Sequence, residues 1–541
     1  MSQITMTGSI VIETTKMMGT IVIGTTTYFL IFASLIALLL LFIDHNKNKN
    51  KNLTNSLIID SNNNVDDDDD DDVVMKNEML PEPPGPKPWP IIGSLDILGR
   101  YDVPYKAFGE LAKEYNCQII KLKLGSVPCV VVNGLDNIKE ILITKGPHFD
   151  SRPNFVRYNL LFSGDKENSL AFSDWSEMQK TRRETLRIHA FPRAFTKKYH
   201  QLNGIITNEI DTLLNYIDIK NTHRITTKTM ILQTCANIFT NYFTSKTFEF
   251  HDKEFQKIVI NFDKIFWEVN QGYAADFMPF LMPLHKLNMK RMANWTHEIR
   301  EFVENNIINT RKNNWTDVID ENDYVDCLIN HVNTNTQPIM SWDTALFSLE
   351  DILGGHAAVG NFLMKIFGYL ATRKNVQIKA QIEIDAVDIS GRNVGLEHRK
   401  SMPYTEAILL ETIRIIASPI VPHVASRDSS VAGYKIEKDT FIFLNNYELN
   451  MSEDLWKSPG EFIPDRFVVN GKILKPEFFI PFGGGRRSCM GYKLVQYLSF
   501  SILASVLKNY TIMPIKGQSY NVPIGNLALP QTTFDFEFIK R

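Results

Sequence analysis

The amino-acid sequence indicates a mainly α-helical protein with a minor β region, preceded by one N-terminal transmembrane helix. Residues 17–43 contain no charged side chain and end in an almost purely apolar stretch. Beyond residue 90 the spacing of apolar residues is mainly helical, whereas residues 117–132 and 434–444 alternate as strands do. With 541 residues, 44% of them hydrophobic and 22% charged, the chain is neither a small disulfide scaffold nor wholly disordered.

The charge balance and the cysteines limit the classes of partner. Fifty-eight Lys and Arg against 61 Asp and Glu give a formal net charge of -3. No global positive field is available, so we expect no nucleic-acid partner. The five cysteines are an odd number without a C-x-x-C pair, which favours a reducing compartment and argues against a zinc ribbon.

The N-terminal apolar stretch is long enough to cross a bilayer as a helix. A cleaved signal peptide is the alternative, but its apolar core is shorter and ends at small residues. Here Asp44 and three closely spaced lysines follow the stretch, which favours a retained anchor with its C-terminal side in the cytosol. We therefore expect residues 1–16 in the lumen, an anchor over residues 17–43 and an unmodified glycosylation sequon at Asn52.

A polar segment separates the anchor from the predicted domain. Residues 44–80 are rich in Asn and Lys and include an acidic run at 66–72, a composition that predicts a solvated tether. Closely spaced prolines at 81–90 then stiffen the backbone, either to set the angle of the folded body or simply as the start of a domain. Residues 81–541 are expected to form one large domain.

The most informative run is PFGGGRRSCMG at residues 481–491, which leads into a predicted helix. Cys489 lies at the end of the glycine-rich loop, where the helix N-terminus, the loop N–H groups, Arg486 and Arg487 can stabilise a thiolate. Such a thiolate can ligate a metal. An ordinary buried cysteine is the first alternative. A phosphate loop is the second, but no Gly-Lys-Ser/Thr follows.

This run resembles the haem signature F-x-x-G-x-R-x-C-x-G of the cytochromes P-450, with its fixed positions at Phe482, Gly485, Arg487, Cys489 and Gly491. The resemblance covers essentially all of residues 81–541 and implies the cytochrome P-450 fold. It implies haem b (iron protoporphyrin IX) as cofactor, with Cys489 as the proximal thiolate ligand of the iron. It also implies that Phe482 packs near the thiolate and that Arg487 pairs with a haem propionate.

Three further residues match the E-x-x-R helix pair of that family and its later arginine. Glu411 and Arg414 lie among apolar residues, so a buried pair is expected rather than a surface pair, with Arg466 as an additional partner. The resemblance makes this trio structural. His423 matches the position where a basic residue reaches a haem propionate, although a surface histidine is the plainer alternative.

The predicted central helix begins at Ser341 and contains Gly354 and Gly355 near its middle. Each glycine costs about 1 kcal/mol relative to alanine, which close helix packing can explain. In the resembled family the helix bends here over the haem and carries an acid and an alcohol that manage protons. This chain has Ala357 and Ala358 instead. We expect Gly355 at the catalytic site and His356, ordered water or a substrate hydroxyl as the proton relay; a core histidine is the alternative.

A second difference from the family concerns its W-x-x-x-R motif, in which the arginine contacts a propionate. Trp175 is present, but Gln179 stands four residues later. Lys180, Arg182 and Arg183 follow on the same predicted helix, so a cation can still reach the porphyrin edge. Trp175 and Lys180 are therefore expected near the cofactor, and the sequence does not decide which of the three cations contacts it.

A narrower resemblance concerns three internal runs, at residues 354–361, 417–430 and 443–452. They are similar to the arthropod Spook and Spookier enzymes of ecdysteroid biosynthesis, which also lack the acid–alcohol pair. This similarity implies a sterol substrate, 7-dehydrocholesterol or an early derivative. Residues 153–170 and 269–283 are expected to line the pocket.

The expected function is that of a haem-thiolate monooxygenase anchored in the endoplasmic reticulum membrane, using O2 and a sterol. No G-x-G-x-x-G follows a strand, so electrons are expected from a separate NADPH–cytochrome P-450 reductase. Arg486, Arg487 and Lys493 are expected to form its docking surface; the alternative is that these cations serve only the propionates and solvent. Membrane lipid is the other expected partner. The alternatives are a haem-thiolate isomerase or dehydratase without net oxygen insertion, and a non-catalytic haem-based sterol or gas sensor.

Overall fold

A computed structural model of the chain describes residues 80–220, 226–312, 321–334 and 337–541. The predicted anchor, and all but the last residue of the predicted tether, lie outside these ranges. None of the helices within the described ranges combines the length and the apolar character that a membrane span requires.

The described domain is mainly helical, as predicted. Its α-helices are α1 (Leu95–Leu98), α2 (Lys106–Glu114), α3 (Leu135–Lys139), α4 (Val156–Leu161), α5 (Glu177–Ala190), α6 (Lys197–Lys220), α7 (Thr227–Thr244), α8 (Lys253–Val269), α9 (Ala274–Phe277), α10 (Lys286–Val303), α11 (Asn309–Lys312), α12 (Tyr324–Asn333), α13 (Trp342–Ala371), α14 (Lys374–Asp385), α15 (Pro403–Ile416), α16 (Asn446–Met451) and α17 (Tyr492–Asn509). Short 3₁₀ segments are Gly146–His148, Lys166–Asn168, Pro279–His285, Leu396–Ser401, Pro464–Phe467 and Gly485–Arg487, and π-helical turns are Glu140–Thr144 and Glu304–Ile308.

The β region consists of one four-stranded sheet and three two-stranded ribbons. The strands are β1 (Ile119–Leu124), β2 (Val127–Val132), β3 (His423–Val424), β4 (Ser429–Val431), β5 (Tyr434–Ile436), β6 (Phe441–Leu444), β7 (Val468–Val469), β8 (Lys472–Ile473), β9 (Tyr510–Pro514) and β10 (Phe536–Lys540). The larger sheet has the order β1-β2-β6-β3, and the ribbons pair β4 with β5, β7 with β8 and β9 with β10. β1 and β2 form an antiparallel hairpin with Ile119 opposite Val132, and β2 runs parallel to β6 with Cys129 opposite Phe441. Both segments that were expected to be strands therefore form strands.

The proline-rich segment is attached to the edge of the domain. The backbone N–H of Lys435 donates to the carbonyl of Pro81 at 3.0 Å, and that of Lys121 donates to the carbonyl of Pro84 at 2.8 Å. The Lys121 ammonium also pairs with the Glu82 carboxylate at 2.6 Å. The described packing thus begins at residue 81, next to β1 and β5.

The central helix α13 begins where the sequence predicts. The Ser341 hydroxyl accepts a hydrogen bond from the Thr344 N–H at 3.1 Å, which caps the helix N-terminus. Apolar residues surround this helix on nearly all sides, as expected for a core helix, and it packs against α7, α8, α10, α12, α14, α15 and α17. The largest hydrophobic cluster of the domain is built around it.

Candidate active site

The cysteine loop has a conformation that only its glycines allow. The N–H of Cys489 donates to the carbonyl of Phe482 at 3.0 Å, and the N–H of Ser488 donates to that of Gly485 at 3.2 Å. Gly485 has φ +61°, and a Cβ at this residue would lie 1.9 Å from the Leu142 carbonyl oxygen. A side chain is therefore excluded, and the loop sits directly on the π turn that contains Leu142.

The Cys489 thiol keeps an exposed surface although protein surrounds it. Burial raises its pKa above the ordinary value, and this effect outweighs the backbone N–H groups of Gly491 and Tyr492 and the charge of Arg183, all of which lower it. The predicted stabilisation of the thiolate by the N–H groups at the helix start is therefore present. The guanidinium that lowers this pKa belongs to Arg183, which also donates to the Ser488 carbonyl, rather than to Arg486 or Arg487.

The two arginines of the loop point elsewhere. Arg486 pairs with the buried carboxylate of Asp150 and lies 4.7 Å over the ring of Trp175. Arg487 is 9% exposed and donates through Nη2 to the carbonyls of Ala171 and Ser173 at 3.1 and 2.8 Å. The prediction that Arg487 belongs to an exposed docking surface was wrong, because its side chain is inside the domain.

A cluster of buried cations lies behind the cysteine loop. Arg152 and Arg487 are buried, and Arg183 is close enough to lower the pKa of both. Burial is the largest cause of these shifts and brings the pKa of Arg487 to about 10. His423 is also buried; its pKa is lowered first by burial and then by Arg152, and its Nδ1 lies 2.6 Å from the Phe149 carbonyl.

One arginine of this cluster, Arg487, has guanidinium nitrogens without a partner in the part of the chain that the structure describes. The Nε and Nη1 atoms of Arg487 are buried and have no hydrogen-bond partner among the described residues. Leaving a buried charged donor unpaired is costly, so the site is suited to an anionic group such as a carboxylate. This is the chemistry that the resemblance implied for Arg487 and His423.

Of the three cations left open on α5, Arg183 is the one near Cys489. Lys180 is on the exposed side of the helix, 3.4 Å from the Glu177 carboxylate. Arg182 is buried and donates to the carbonyls of Asn168 and Glu167 at 2.6 and 2.8 Å.

The trio of Glu411, Arg414 and Arg466 comes together in the interior. Glu411 and Arg414 are fully buried and make two parallel hydrogen bonds of 2.8 Å. The same carboxylate accepts from Arg466 at 3.1 Å and from the Ile463 N–H at 2.8 Å. Arg414 also donates to the Asn450 carbonyl at 2.7 Å. These bonds satisfy the buried charges and tie α15 to the segment before the cysteine loop.

The two glycines of α13 are explained by close packing. A Cβ at Gly354 would lie 3.2 Å from the Phe262 ring, and one at Gly355 would lie 3.0 Å from the Phe239 ring. The rings of Phe262 on α8 and Phe239 on α7 therefore pack so closely on these glycines that a Cβ at either position would require the ring to shift. The alternative that the glycines serve helix packing is what the structure shows; a catalytic role for Gly355 stays a prediction.

His356 lies in a small apolar cavity of about 10 Å³ between α7, α8, α10 and α13. Its Nδ1 is 2.6 Å from the Leu353 carbonyl, and its Nε2 is buried without a hydrogen-bond partner among the described residues. Burial lowers its pKa to about 4, against smaller opposing effects of the Leu353 and Val259 carbonyls and of Asp263. The ring is neutral at neutral pH, which favours the core alternative; its role as a relay stays a prediction.

The two segments expected to line the pocket are joined by a buried ion pair. Arg157 pairs with Asp276 at 2.9 Å and donates to the Glu268 carbonyl at 2.7 Å. Phe162, from the first segment, packs edge-on against Phe347 of α13 with ring centroids 5.6 Å apart. Both segments thus lie together beside the central helix.

Sequence reasoning missed two charged residues of this region. Arg152 donates to the carbonyls of Ala171, Val421 and Pro422 and so connects three parts of the site. Asp351 accepts hydrogen bonds from the Ser169 hydroxyl and the Leu170 N–H. Asp351 could have been singled out, because an acid inside an apolar helical run is unusual.

Comparison with known proteins agrees with this geometry. The sequence model of the family described as Cytochrome P450 matches residues 83–538. The chain is 37% identical over 478 residues to cytochrome P450 307a1 of Drosophila melanogaster, covering 83% of this chain and 88% of that protein. It is 28% identical to cytochrome P450 1A1 of Homo sapiens, with 82% and 88% covered, and 28% identical to that of Platichthys flesus, with 81% and 87% covered. The chain therefore belongs to the cytochrome P450 family, whose members are monooxygenases that use the haem iron of protoporphyrin IX.

Proposed function

We propose that the domain binds haem b and that the Cys489 sulfur would be a ligand of its iron. The observation that carries this proposal is the cysteine loop, in which an accessible thiol faces two backbone N–H groups at a helix start and one guanidinium. Burial raises the pKa of Cys489, so a bound cation is needed to hold the sulfur as thiolate. When bound, haem supplies the oxygen chemistry, and a thiolate ligand favours O–O cleavage.

The buried cations fit the two carboxylates of such a group. Two buried nitrogens of Arg487 have no hydrogen-bond partner among the described residues. The positive charges of Arg152, Arg183 and Arg487 repel one another, and the His423 ring lies close to Arg152 and Arg487. Guanidinium groups bind carboxylates in paired hydrogen bonds, which would relieve this repulsion. We assign the propionates to these four residues. Trp175 contributes by stacking against the guanidinium of Arg486 and so holding it in place.

The remaining residues of the site position this centre. The Glu411, Arg414 and Arg466 trio holds the segment that precedes the loop, and Phe482 packs against Tyr492 at the start of α17 with ring centroids 5.9 Å apart. These contacts fix the direction of the Cys489 side chain. Fixing it before the cofactor binds lowers the entropic cost of binding.

We further propose a sterol substrate and an early step of ecdysteroid biosynthesis. The support is the similarity of residues 354–361, 417–430 and 443–452 to the Spook and Spookier enzymes. The identity of 37% to the Drosophila protein, against 28% to the vertebrate proteins named above, points in the same direction. The aromatic and apolar surroundings of Phe162 and Phe347 beside α13 suit a rigid apolar ligand.

Members of this family take electrons from a reductase and bind O2 and substrate. For this chain we propose NADPH–cytochrome P450 reductase as the donor and the endoplasmic reticulum membrane as the location, with residues 17–43 as the anchor and the domain in the cytosol. Arg486 and Lys493 are the cations of the predicted docking surface that keep some exposure, so they are assigned to it.

The decisive test is spectroscopic. Purified full-length protein is reduced under carbon monoxide, and the red-shifted absorption band of thiolate-bound haem is expected. Cys489→Ser should lose the band, whereas the same change at the buried cysteine Cys235 should keep it. A folded wild-type protein without the band would overturn the assignment.

A second measurement addresses the substrate. Titration with 7-dehydrocholesterol is expected to shift the spin state of the ferric protein, and a plain aliphatic alcohol serves as the control. Turnover with the reductase should then require O2. Product formation without O2 would favour the isomerase or dehydratase, a possibility kept open by Ala357 and Ala358.

A further inference from the structure

One strip of α13 stays accessible inside the domain. Between Ala345 and Ala371 every residue of the helix is buried except Asp351, Gly354, Gly355 and Ala358. Gly354, Gly355 and Ala358 follow Asp351 by three, four and seven residues, so all four lie on one face of the helix. Accessible surface on an otherwise enclosed helix means that some space remains beside these residues, although the rings of Phe262 and Phe239 approach the two glycines. Asp351 is the titratable member of the strip.

The Asp351 carboxylate is held by one oxygen. Its Oδ2 accepts hydrogen bonds from the Leu170 N–H at 2.6 Å and from the Ser169 hydroxyl at 2.9 Å. Ser169 is itself fixed, because its oxygen accepts from the N–H groups of Ala171 and Phe172 at 3.0 Å each. Oδ1 accepts no hydrogen bond from any residue that the structure describes. One oxygen is thus clamped and the other is available to carry a proton.

The charges around Asp351 allow it to exchange that proton near neutral pH. Burial raises its pKa to about 6, and this is the largest effect. The Leu170 N–H, the Ser169 hydroxyl, the charge of Arg182 on α5 and the Ala171 N–H oppose it. The other titratable groups that face it are Tyr324 of α12 and its neighbour Glu350. A proton donor works best when its pKa is close to the working pH.

We propose that Asp351 delivers protons to the space beside α13, in place of the acid and the alcohol that this chain lacks at Ala357 and Ala358. The proton on Oδ1 passes to a water molecule in that space, and the carboxylate stays clamped through Oδ2. A proton from solvent then restores the acid, so only O–H bonds change and no electron moves. Ser169 is a positioning residue. The proposal rests on the proposed haem-thiolate function.

The plainer role of Asp351 is to anchor residues 169–170 to α13. Asp351→Asn separates the two roles, because the amide oxygen still accepts both hydrogen bonds while the side chain no longer exchanges a proton. Asp343→Asn is the matched control, since Asp343 lies on the same helix with a side chain that is 76% exposed.

The experiment uses the full-length holoenzyme with reductase and 7-dehydrocholesterol, and measures product and hydrogen peroxide per NADPH between pH 5.5 and 8.5. Asp351→Asn is expected to lower the product yield about tenfold or more and to raise peroxide release. The wild-type inflection near pH 6 should disappear. Asp343→Asn should behave as wild type, and all variants should keep haem and the carbon monoxide band.

Infrared difference spectra between pH 5 and pH 8 give a readout that does not depend on turnover. Wild type should show a carboxylic acid band that titrates near pH 6 and is absent in Asp351→Asn, whereas the band of Glu350, whose pKa burial raises to about 7, should remain in that variant. Ser169→Ala removes a bond that lowers the pKa, so its midpoint should rise. This variant also tests the proposal if the Asn variant fails to fold.

Wild-type coupling in a folded Asp351→Asn, or an unchanged infrared midpoint in Ser169→Ala, would overturn the role of Asp351 alone. Loss of the carbon monoxide band from wild type would instead remove the proposed function. The two failures are therefore distinguishable.

Discussion

Individual charges in this protein differ greatly in what they contribute. The Glu411 carboxylate accepts bonds from Arg414, Arg466 and the Ile463 N–H with no solvent to replace them. Asp465 directly precedes Arg466 in the chain and pairs with Lys379, but the side chains of Lys379 and Asp465 are 53% and 54% exposed. A buried charge that loses its partner has no substitute, whereas water replaces either member of an exposed pair.

Glu411→Gln is therefore expected to reduce the free energy of unfolding by about 3–5 kcal/mol, because two guanidiniums lose their buried carboxylate. Denaturant or thermal unfolding of the purified protein measures this, and haem content should fall as well. Asp465→Asn serves as control, with an expected change below about 1 kcal/mol. Equal effects of the two substitutions would contradict the prediction.

The cations of α5 can also be ranked, by the loss of haem expected when each is removed. Arg183→Ala removes the guanidinium beside Cys489 and Arg487, so we expect a several-fold loss of haem from the purified protein. Lys180→Ala changes a side chain whose partner is the exposed Glu177, and haem content should stay at the wild-type level. Absorption at the haem band per mole of chain measures both. A loss confined to the Lys180 variant would show that the wrong cation is assigned.

Among the helices, α13 combines the packing and the chemistry of the domain. Gly354 and Gly355 let the rings of Phe262 and Phe239 approach closely, and Asp351, on the same face of the helix, keeps accessible surface. His356 points into the small apolar cavity and is not on the strip. Close packing at the glycines and an accessible acid thus lie within one turn of the same helix face.

His356→Ala tests that division. The ring is neutral, with a pKa of about 4, and lies in an apolar cavity, so product per NADPH should match wild type. A marked rise in peroxide release would restore His356 to the proton pathway.

The C-terminal end of α13 carries a second unusual charge. Lys365 is fully buried, donates to the carbonyls of Pro523 and Asn526 at 2.6 and 2.8 Å, and has a pKa lowered by burial to about 7. The unfolded chain therefore binds more protons than the folded one between about pH 7 and 10. Folding stability that depends on this lysine must rise with pH across that window and stay constant below it, where the lysine is protonated in both states.

Lys365→Met should remove this dependence. Relative to the variant, wild type is expected to gain about 2–3 kcal/mol in free energy of unfolding between pH 7 and pH 9. Unfolding titrations at the two pH values measure the difference, and the same change at exposed Lys400 is the control. If wild type and Lys365→Met show parallel pH profiles, the lysine is charged in the folded state.

For the chain as a whole, the sequence was sufficient for the elements and for the motifs whose residues lie close together. The strands at residues 117–132 and 434–444 and the cap at Ser341 follow from local patterns. The partners of single charges did not follow, because Arg183 reaches Ser488 across 305 positions of the chain. Motif spacing does not contain that information. Arg487 was misplaced on the surface for the same reason.

The orientation of the full chain gives one more prediction. If residues 17–43 cross the membrane with the domain in the cytosol, the sequon at Asn52 never meets the glycosylation machinery of the lumen. Digestion of the cell-expressed protein with an endoglycosidase should leave its electrophoretic mobility unchanged. A sequon engineered before residue 16 is the positive control, and sugar on Asn52 would reverse the topology.

The hydrogen bonds at Pro81 and Pro84 also have a mechanical consequence. A pull on the N-terminal side of the domain is transmitted first to Lys435 and Lys121, at the rim of the β region. The cysteine loop and α13 experience tension only after those bonds have sheared. If residues 17–43 are embedded in lipid, as proposed, lateral drag on them loads the rim of the sheet before it reaches the cysteine loop.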